Sequence, residues 1–146
     1  MKKIISVILV AFMAIASLVG CGGVDEGGKA NLGDYNVVIE SVRYSKSYKE
    51  EPVVIVKYTF TNYEEDENSF YLSIIDNVYQ GGIELDYCYS VDSSANYSTD
   101  NQSKKVKTGE SIVVERAYVL RDITTPIKVE ASEAFSFSDA KVSKTF

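Results

Sequence analysis

Residues 52–62, PVVIVKYTFTN, alternate without interruption. Val54, Val56, Tyr58 and Phe60 fall on one side of an extended chain; Ile55, Lys57, Thr59 and Thr61 fall on the other. A period of two belongs to a strand, because successive side chains leave a pleated backbone in opposite directions. Pro52 suits the first strand position, where its missing N–H costs least. No segment beyond residue 34 sustains the helical period, so the folded part of this chain is expected to be all-β.

The other segments are read the same way. YNVVIESVRY (35–44) places Val37 and Ile39 on one face, and Val42 and Tyr44 fall out of that phase. The break predicts a bulge near Ser41. FYLSIIDNVYQ (70–80) is ambiguous between strand and helix, and its branched and aromatic residues favour a strand with an irregular middle. Gly81-Gly82 supplies two residues free to adopt positive φ, the mark of a tight hairpin. IELDYCYS (83–90) then returns, with Ile83, Leu85, Tyr87 and Tyr89 on one face and Glu84, Asp86, Cys88 and Ser90 on the other. Residues 91–105 form a polar loop, long enough to be mobile or functional. A turn follows at Lys107–Glu110, then strands over 111–120, 126–132 and 140–146. About seven strands at this spacing predict a two-sheet β-sandwich over residues 35–146, one domain large enough for a single core.

The N-terminus carries a different signal. Lys2 and Lys3 precede an uncharged run from Ile4 to Gly20. Charge, apolar core and small residues, in that order, form a secretory signal. Its junction, Leu18-Val19-Gly20-Cys21, resembles the bacterial lipobox. That resemblance implies cleavage between Gly20 and Cys21 and a diacylglyceryl group on the Cys21 sulfur. An ordinary signal peptide, or a retained anchor with an incidental cysteine, is the alternative. One acyl chain binds a bilayer only reversibly and two make a durable anchor. The expected organisation is therefore a signal helix (1–20), a lipidated cysteine with a Gly-rich flexible tether (21–34), and the sandwich. The protein is then exported and held on the outer face of the cell membrane.

Composition narrows the chemistry. The chain has no histidine and two cysteines, Cys21 and Cys88. Ser-His-Asp catalysis, Cys-His catalysis and imidazole or thiolate zinc sites are excluded. Cys88 has no internal disulfide partner and reads as a small buried filler. The net charge is −6, and removal of Lys2 and Lys3 makes the mature chain more acidic still, which disfavours nucleic acid as a partner. No phosphate-cradling motif is present, and no cofactor is implied.

Three constellations are weighed as sites. Glu64, Glu65, Asp66 and Glu67 form an acidic loop tip that offers oxygens to a hard cation, though adjacent residues seldom converge on one ion. Glu84 and Asp86, two apart on a strand, stand about 7 Å apart, within the range of paired carboxylates. An exposed strand face explains them equally well. Finally, all eleven tyrosines follow residue 34. Tyrosine serves both in cross-strand packing, which suits Tyr58 and Tyr118, and in recognition surfaces. If a binding face exists, it is expected around Tyr89, Asp92, Tyr97 and Asp100, since loops on a rigid sandwich usually carry function.

VVIVKYTFTN, YQGGIEL, VKTGES and AYVLRDITTPIKVEAS, in that order, resemble domain-of-unknown-function family 5067, a family of secreted and lipid-anchored bacterial proteins related to immunoglobulin-like sandwiches. The resemblance implies an immunoglobulin-like fold and an extracytoplasmic place. Its motifs are strand ends, a hairpin and a turn, and no active site carries over. Related sandwiches often hold a cysteine pair, which Cys88 alone cannot make. The expected function is a non-enzymatic surface module that binds an unknown protein or envelope ligand. An envelope enzyme using carboxylates or a Ser–Lys pair, and an accessory subunit of an envelope complex, are the alternatives.

Overall fold

The structure is a computed structural model that describes residues 24–25 (backbone only) and 27–146. The segment expected to be a signal peptide, 1–20, with the expected cleavage and lipidation site at Gly20 and Cys21, lies outside the described residues. Among the described residues, no helix is long and apolar enough to cross a membrane. They form nine strands: β1 (Val24–Asp25), β2 (Lys29–Asn31), β3 (Tyr35–Lys46), β4 (Pro52–Asn62), β5 (Ile74–Gln80), β6 (Ile83–Glu84), β7 (Ser111–Val119), β8 (Ile127–Glu133) and β9 (Lys141–Thr145). One helical turn, α1 (Phe70–Ser73), precedes β5.

Two sheets face each other, one in the order β2-β3-β4-β7 and the other β1-β9-β8-β5-β6. With β3 to β9 taken as A, B, C, C′, E, F and G, the pairings are A-B-E and C′-C-F-G, an immunoglobulin-like arrangement. All pairs are antiparallel except β1 with β9. The alternation of the sequence decides what meets between the sheets. Val37, Ile39, Val54, Val56, Tyr58, Phe60, Val114 and Tyr118 come from one; Ile74, Val78, Val129, Ala131 and Val142 come from the other. The bulge lies between Ile39 and Ser41, and it restores Val42 to the inner side, opposite Val56. Gly81 and Gly82, at φ 59° and 78°, close the β5–β6 hairpin.

Four segments depart from the sequence reading. First, residues 70–80 are a strand only from Ile74. The chain must pass from one sheet to the other, and α1 makes that passage with Phe70 buried against Tyr58 and Phe60 at centroid distances of 5.1 and 5.9 Å. Such aromatic pairs add about 1 kcal/mol each beyond the area they bury. Second, the strand expected over 83–90 stops at Glu84. There the chain leaves β6 and crosses back, so only Leu85 of the four alternating residues is fully buried. Tyr87 forms a bridge to Tyr118 on the far sheet.

Third, the tether over 21–34 is shorter than expected. β1 pairs with β9 and β2 with β3, and Leu32 joins the core. These strands are too short to show a period, but they find waiting partners at two sheet edges. Fourth, residues 91–105 are no free loop. Val53 and Ile55 are buried on the outer face of β4, so that strand is covered on both sides. Cys88, Val91, Ala95 and Tyr97 supply the cover, packing on Val53, Ile55, Ala117 and Val119. Asn101 Nδ2 donates to the Val113 carbonyl at 2.9 Å, and Gln102 Nε2 donates to that of Glu115 at 2.6 Å. Arg43 pairs with Glu115 and donates to the Ala95 carbonyl at 3.0 Å. The segment is a strap, fastened along its length.

Candidate functional site

In IIDNVYQ, Asp76 shares the inner phase of Ile74 and Val78. In SIVVERAYVL, Arg116 shares that of Val114 and Tyr118. The sandwich therefore carries a carboxylate and a guanidinium inward, from opposite sheets. Asp76 is 3 % exposed and Arg116 9 %. Their charges meet at 3.6 Å, Arg116 Nη2 to Asp76 Oδ1.

Three phenols complete the cluster. Tyr58 donates to Asp76 Oδ2 at 3.1 Å, Tyr118 donates to the same oxygen, and Tyr87 donates to Oδ1 at 3.0 Å. The guanidinium carbon of Arg116 stands 4.3 Å from the Tyr87 ring centroid, a cation–π distance. Tyr87 also stacks on Tyr118 at 4.9 Å. Buried charge is tolerated only when paired and hydrogen-bonded, and this one is. Desolvation, with the adjacent Asp76 charge, pushes the Tyr58 phenol well above its usual pKa. Desolvation, with the neighbouring Tyr58 and Asp76, does the same to Tyr118. Tyr87 is pushed up to about 12, by burial first. All three phenols thus stay protonated as donors. Burial works against the Arg116 charge, but Asp76 and the tyrosines outweigh it and raise its pKa.

The cluster opens to solvent on one side. Asp76, Tyr87 and Tyr118 form the inner wall of an open cleft of about 550 Å³, with Ile75, Asn77, Glu84, Leu85, Asp86 and Tyr89 completing it. Asn77 Nδ2 donates to Glu84 Oε1 at 2.6 Å and holds that carboxylate at the rim. Tyr89 is 90 % exposed and tilts beside Tyr87 at 6.3 Å. Its other side, with Tyr87, borders a smaller hollow of about 200 Å³ lined by Ser47, Tyr48, Lys49, Glu51, Cys88, Ser90 and Val119. Tyr89 is thus a free-standing ring between two hollows.

The four residues expected to form a binding face separate. Tyr89 lines both hollows. Asp92 caps a short 3-10 turn (Ser93–Ala95), accepting from the Ser94 N–H at 2.9 Å. Tyr97 lies half-buried within the strap and accepts from Gln102 Nε2 at 3.3 Å. Asp100 is exposed in a turn and is not among the residues that line the cleft. Glu84 and Asp86 do share a wall, but they do not share a strand.

The acidic tip does not converge. Tyr35 donates to Glu64 Oε2 at 2.6 Å and Asn68 to the same oxygen at 3.0 Å, which lowers the Glu64 pKa. Glu65, Asp66 and Glu67 point to solvent, and among the described residues no group of three or more acidic or thiol side chains is placed to hold a metal ion. Cys88 is a free, buried thiol under the strap, as a filler would be. The sequence reading missed Asp76 and Arg116. Their signal was a charge set in phase with an apolar face.

The model of a family described as Domain of unknown function (DUF5067) matches residues 23–133. Similar solved structures include a candidate lipoprotein from Staphylococcus aureus (16 % identity, 84 % of this chain and 89 % of that one, TM-score 0.61). A protein from Enterococcus faecalis is similar at 18 % identity, over 83 % of this chain and 91 % of that one, with a TM-score of 0.58. An uncharacterised β-sandwich protein from Clostridium difficile is similar at 10 % identity, over 83 % and 91 %, with a TM-score of 0.54. At such identities the likeness is one of fold. No curated protein matches the chain.

Proposed function

The chain belongs to the DUF5067 family, and from that premise we propose that it is a lipid-anchored, non-enzymatic binding module of the cell exterior. Its anchor is Cys21, on the outer face of the cell membrane, and its ligand contacts the cleft beside Tyr89. The observation that carries this reading is a fully presented aromatic ring flanked by two open hollows, on a scaffold made rigid by the Asp76–Arg116 cluster. Large aromatic faces with adaptable polar neighbours favour recognition. Glu84, Asp86 and Asn77 at the rim suit a ligand that presents hydrogen-bond donors, a protein or envelope component rather than nucleic acid.

Binding is favoured over catalysis by the state of Asp76. Its oxygens already serve three phenols and a guanidinium, so the one buried carboxylate of the cleft is engaged in holding the fold. The lipobox at Leu18–Cys21 supports the address, and the candidate lipoprotein among the similar structures is consistent with it.

Two comparisons test the reading. In the first, full-length protein in its native host takes up labelled fatty acid, and Cys21→Ser takes up none and leaves the membrane fraction. In the second, the full-length protein captures an envelope component from detergent extract, and Tyr89→Ala captures at least about tenfold less. Equal capture by the two would remove the cleft from the proposal.

A further inference from the structure

The two most exposed large apolar side chains among the described residues lie at one end of the sandwich. Phe135 and Phe137, in the connection between β8 and β9, are 96 % and 108 % exposed. Tyr71 and Leu72 of α1 are also exposed, and the Ala134 N–H donates to the Ser73 carbonyl at 2.7 Å, which fixes the two segments side by side. Phe135 holds a φ of 60°, a region that bulky residues seldom occupy and that is retained mainly where it serves a purpose. An aqueous domain gains nothing by presenting two phenylalanines in three residues.

The same end receives the chain from Cys21. β1 runs parallel to β9, with Val24 opposite Lys141 and Asp25 opposite Val142, so β1 begins where the Phe135–Phe137 connection ends. Three residue steps separate Cys21 from Val24, a reach of at most about 10 Å. An acylated Cys21 holds the bilayer against this end. The opposite end, with the Gly81-Gly82 hairpin and the 121–126 loop, then points away, since Thr125 lies beside Gly81 and Ile127 pairs with Gln80.

We propose that Phe135 and Phe137, with Tyr71 and Leu72 beside them, insert into the outer leaflet as a second, non-covalent foot that stands the domain on the membrane in one orientation. This rests on the lipid-anchor reading of Cys21. Aromatic and aliphatic side chains favour the boundary between headgroups and acyl chains. Charge does not drive the contact. Asp34, Glu64 and Glu133 lie close enough together at this end for the first two to raise the Glu133 pKa, after burial, and they would repel anionic headgroups. The foot is therefore apolar, and its insertion is insensitive to salt and strongest on zwitterionic lipid.

The test uses the full acylated chain in phosphatidylcholine vesicles with brominated acyl chains. An environment-sensitive fluorophore is placed at Ser136→Cys, or at Ile123→Cys on the opposite end. The expected result is loss of roughly half the emission or more at 136 and none at 123, since only a probe at the acyl boundary meets bromine. Phe135→Ser with Phe137→Ser should abolish the quenching at 136 and leave the near-ultraviolet dichroism unchanged. Fatty acid present on Cys21 with both probes unquenched overturns the foot and leaves the anchor intact. Absence of fatty acid on Cys21 overturns the anchor reading and the foot with it. A blue-shifted but unquenched probe at 136 marks a protein partner on this face instead, and also overturns the proposal.

Discussion

Asp76 and Arg116 reach each other across the sandwich, one from β5 and one from β7, at 3.6 Å. The pair joins the two sheets at a point where hydrophobic contact alone would hold them, and three tyrosine hydroxyls are aimed at the same carboxylate.

Removal of the two partners should not be symmetrical. Asp76→Ala leaves a buried guanidinium and three phenols without their acceptor, and a loss of about 3–5 kcal/mol is expected. Arg116→Met leaves Asp76 with all three donors and fills the space with an apolar chain, so the loss should be about half as large. Urea denaturation midpoints, compared at equal m-value, distinguish the two. An equal loss would mean that the phenols contribute little to the cluster.

Alkaline pH should unfold the protein through its tyrosines. An unfolded tyrosine ionises near pH 10. Tyr87 and Tyr35 ionise at about pH 12 in the folded state, and Tyr58 and Tyr118 lie well above their usual value. Between the two limits the unfolded chain binds fewer protons than the native one, so stability is complete below about pH 10 and falls as pH rises towards 12. Phenolate absorbance should rise in two steps. Phenols without such an environment ionise first, and Tyr35, Tyr58, Tyr87 and Tyr118 appear only together with the loss of near-ultraviolet dichroism. A single step near pH 10 in folded protein would contradict the packing described for Asp76.

The strap is fastened mainly by side-chain bonds to β3 and β7 rather than by a continuous ladder, so it should open locally. Arg43→Ala removes the contacts to Glu115 and to the Ala95 carbonyl. Amide exchange across 92–103 and alkylation of Cys88 are each expected to rise about tenfold, with exchange in β4 and β7 little changed. Peptide mass mapping reads both. Uniform acceleration over the whole domain would show that strap and sandwich unfold as one unit.

The β5–β6 hairpin needs positive φ at both central residues. Gly81→Asn should be close to neutral, because Asn-Gly suits this turn. Gly82→Val should cost about 1–2 kcal/mol, because a branched side chain resists the left-handed region although the space around Gly82 is open. Thermal denaturation measures the difference.

Seven strands were legible because each one has a solvent side or a clear alternation, and the bulge at Ser41 and the turns at Gly82 and Gly109 follow from residues that only those conformations favour. The strap was not legible because its polar residues spend themselves on backbone carbonyls of β7 rather than on water. A hint lay in the unbroken run Val53-Val54-Ile55-Val56, which asks for cover on both faces. Tyr89 was read as a recognition residue and does stand at the cleft; Tyr97 was read the same way and packs instead. What separates them is cover: Tyr97 packs against the cluster over β4, and Tyr89 stands exposed. Asp76 was hidden for a related reason: an acid in an apolar strand phase finds its meaning only when Arg116 is seen to arrive from the other sheet.

The pairing of β1 and β2 with the sandwich decides how the protein must be handled. A recombinant fragment begun at Tyr35 would strip both borders at once, leaving the ladders of β9 and β3 as open templates. Unpaired borders invite copies of the same chain to add themselves in register. Such a fragment should form strand-exchanged dimers or precipitate on concentration, and a preparation begun at Gly22 should stay monodisperse.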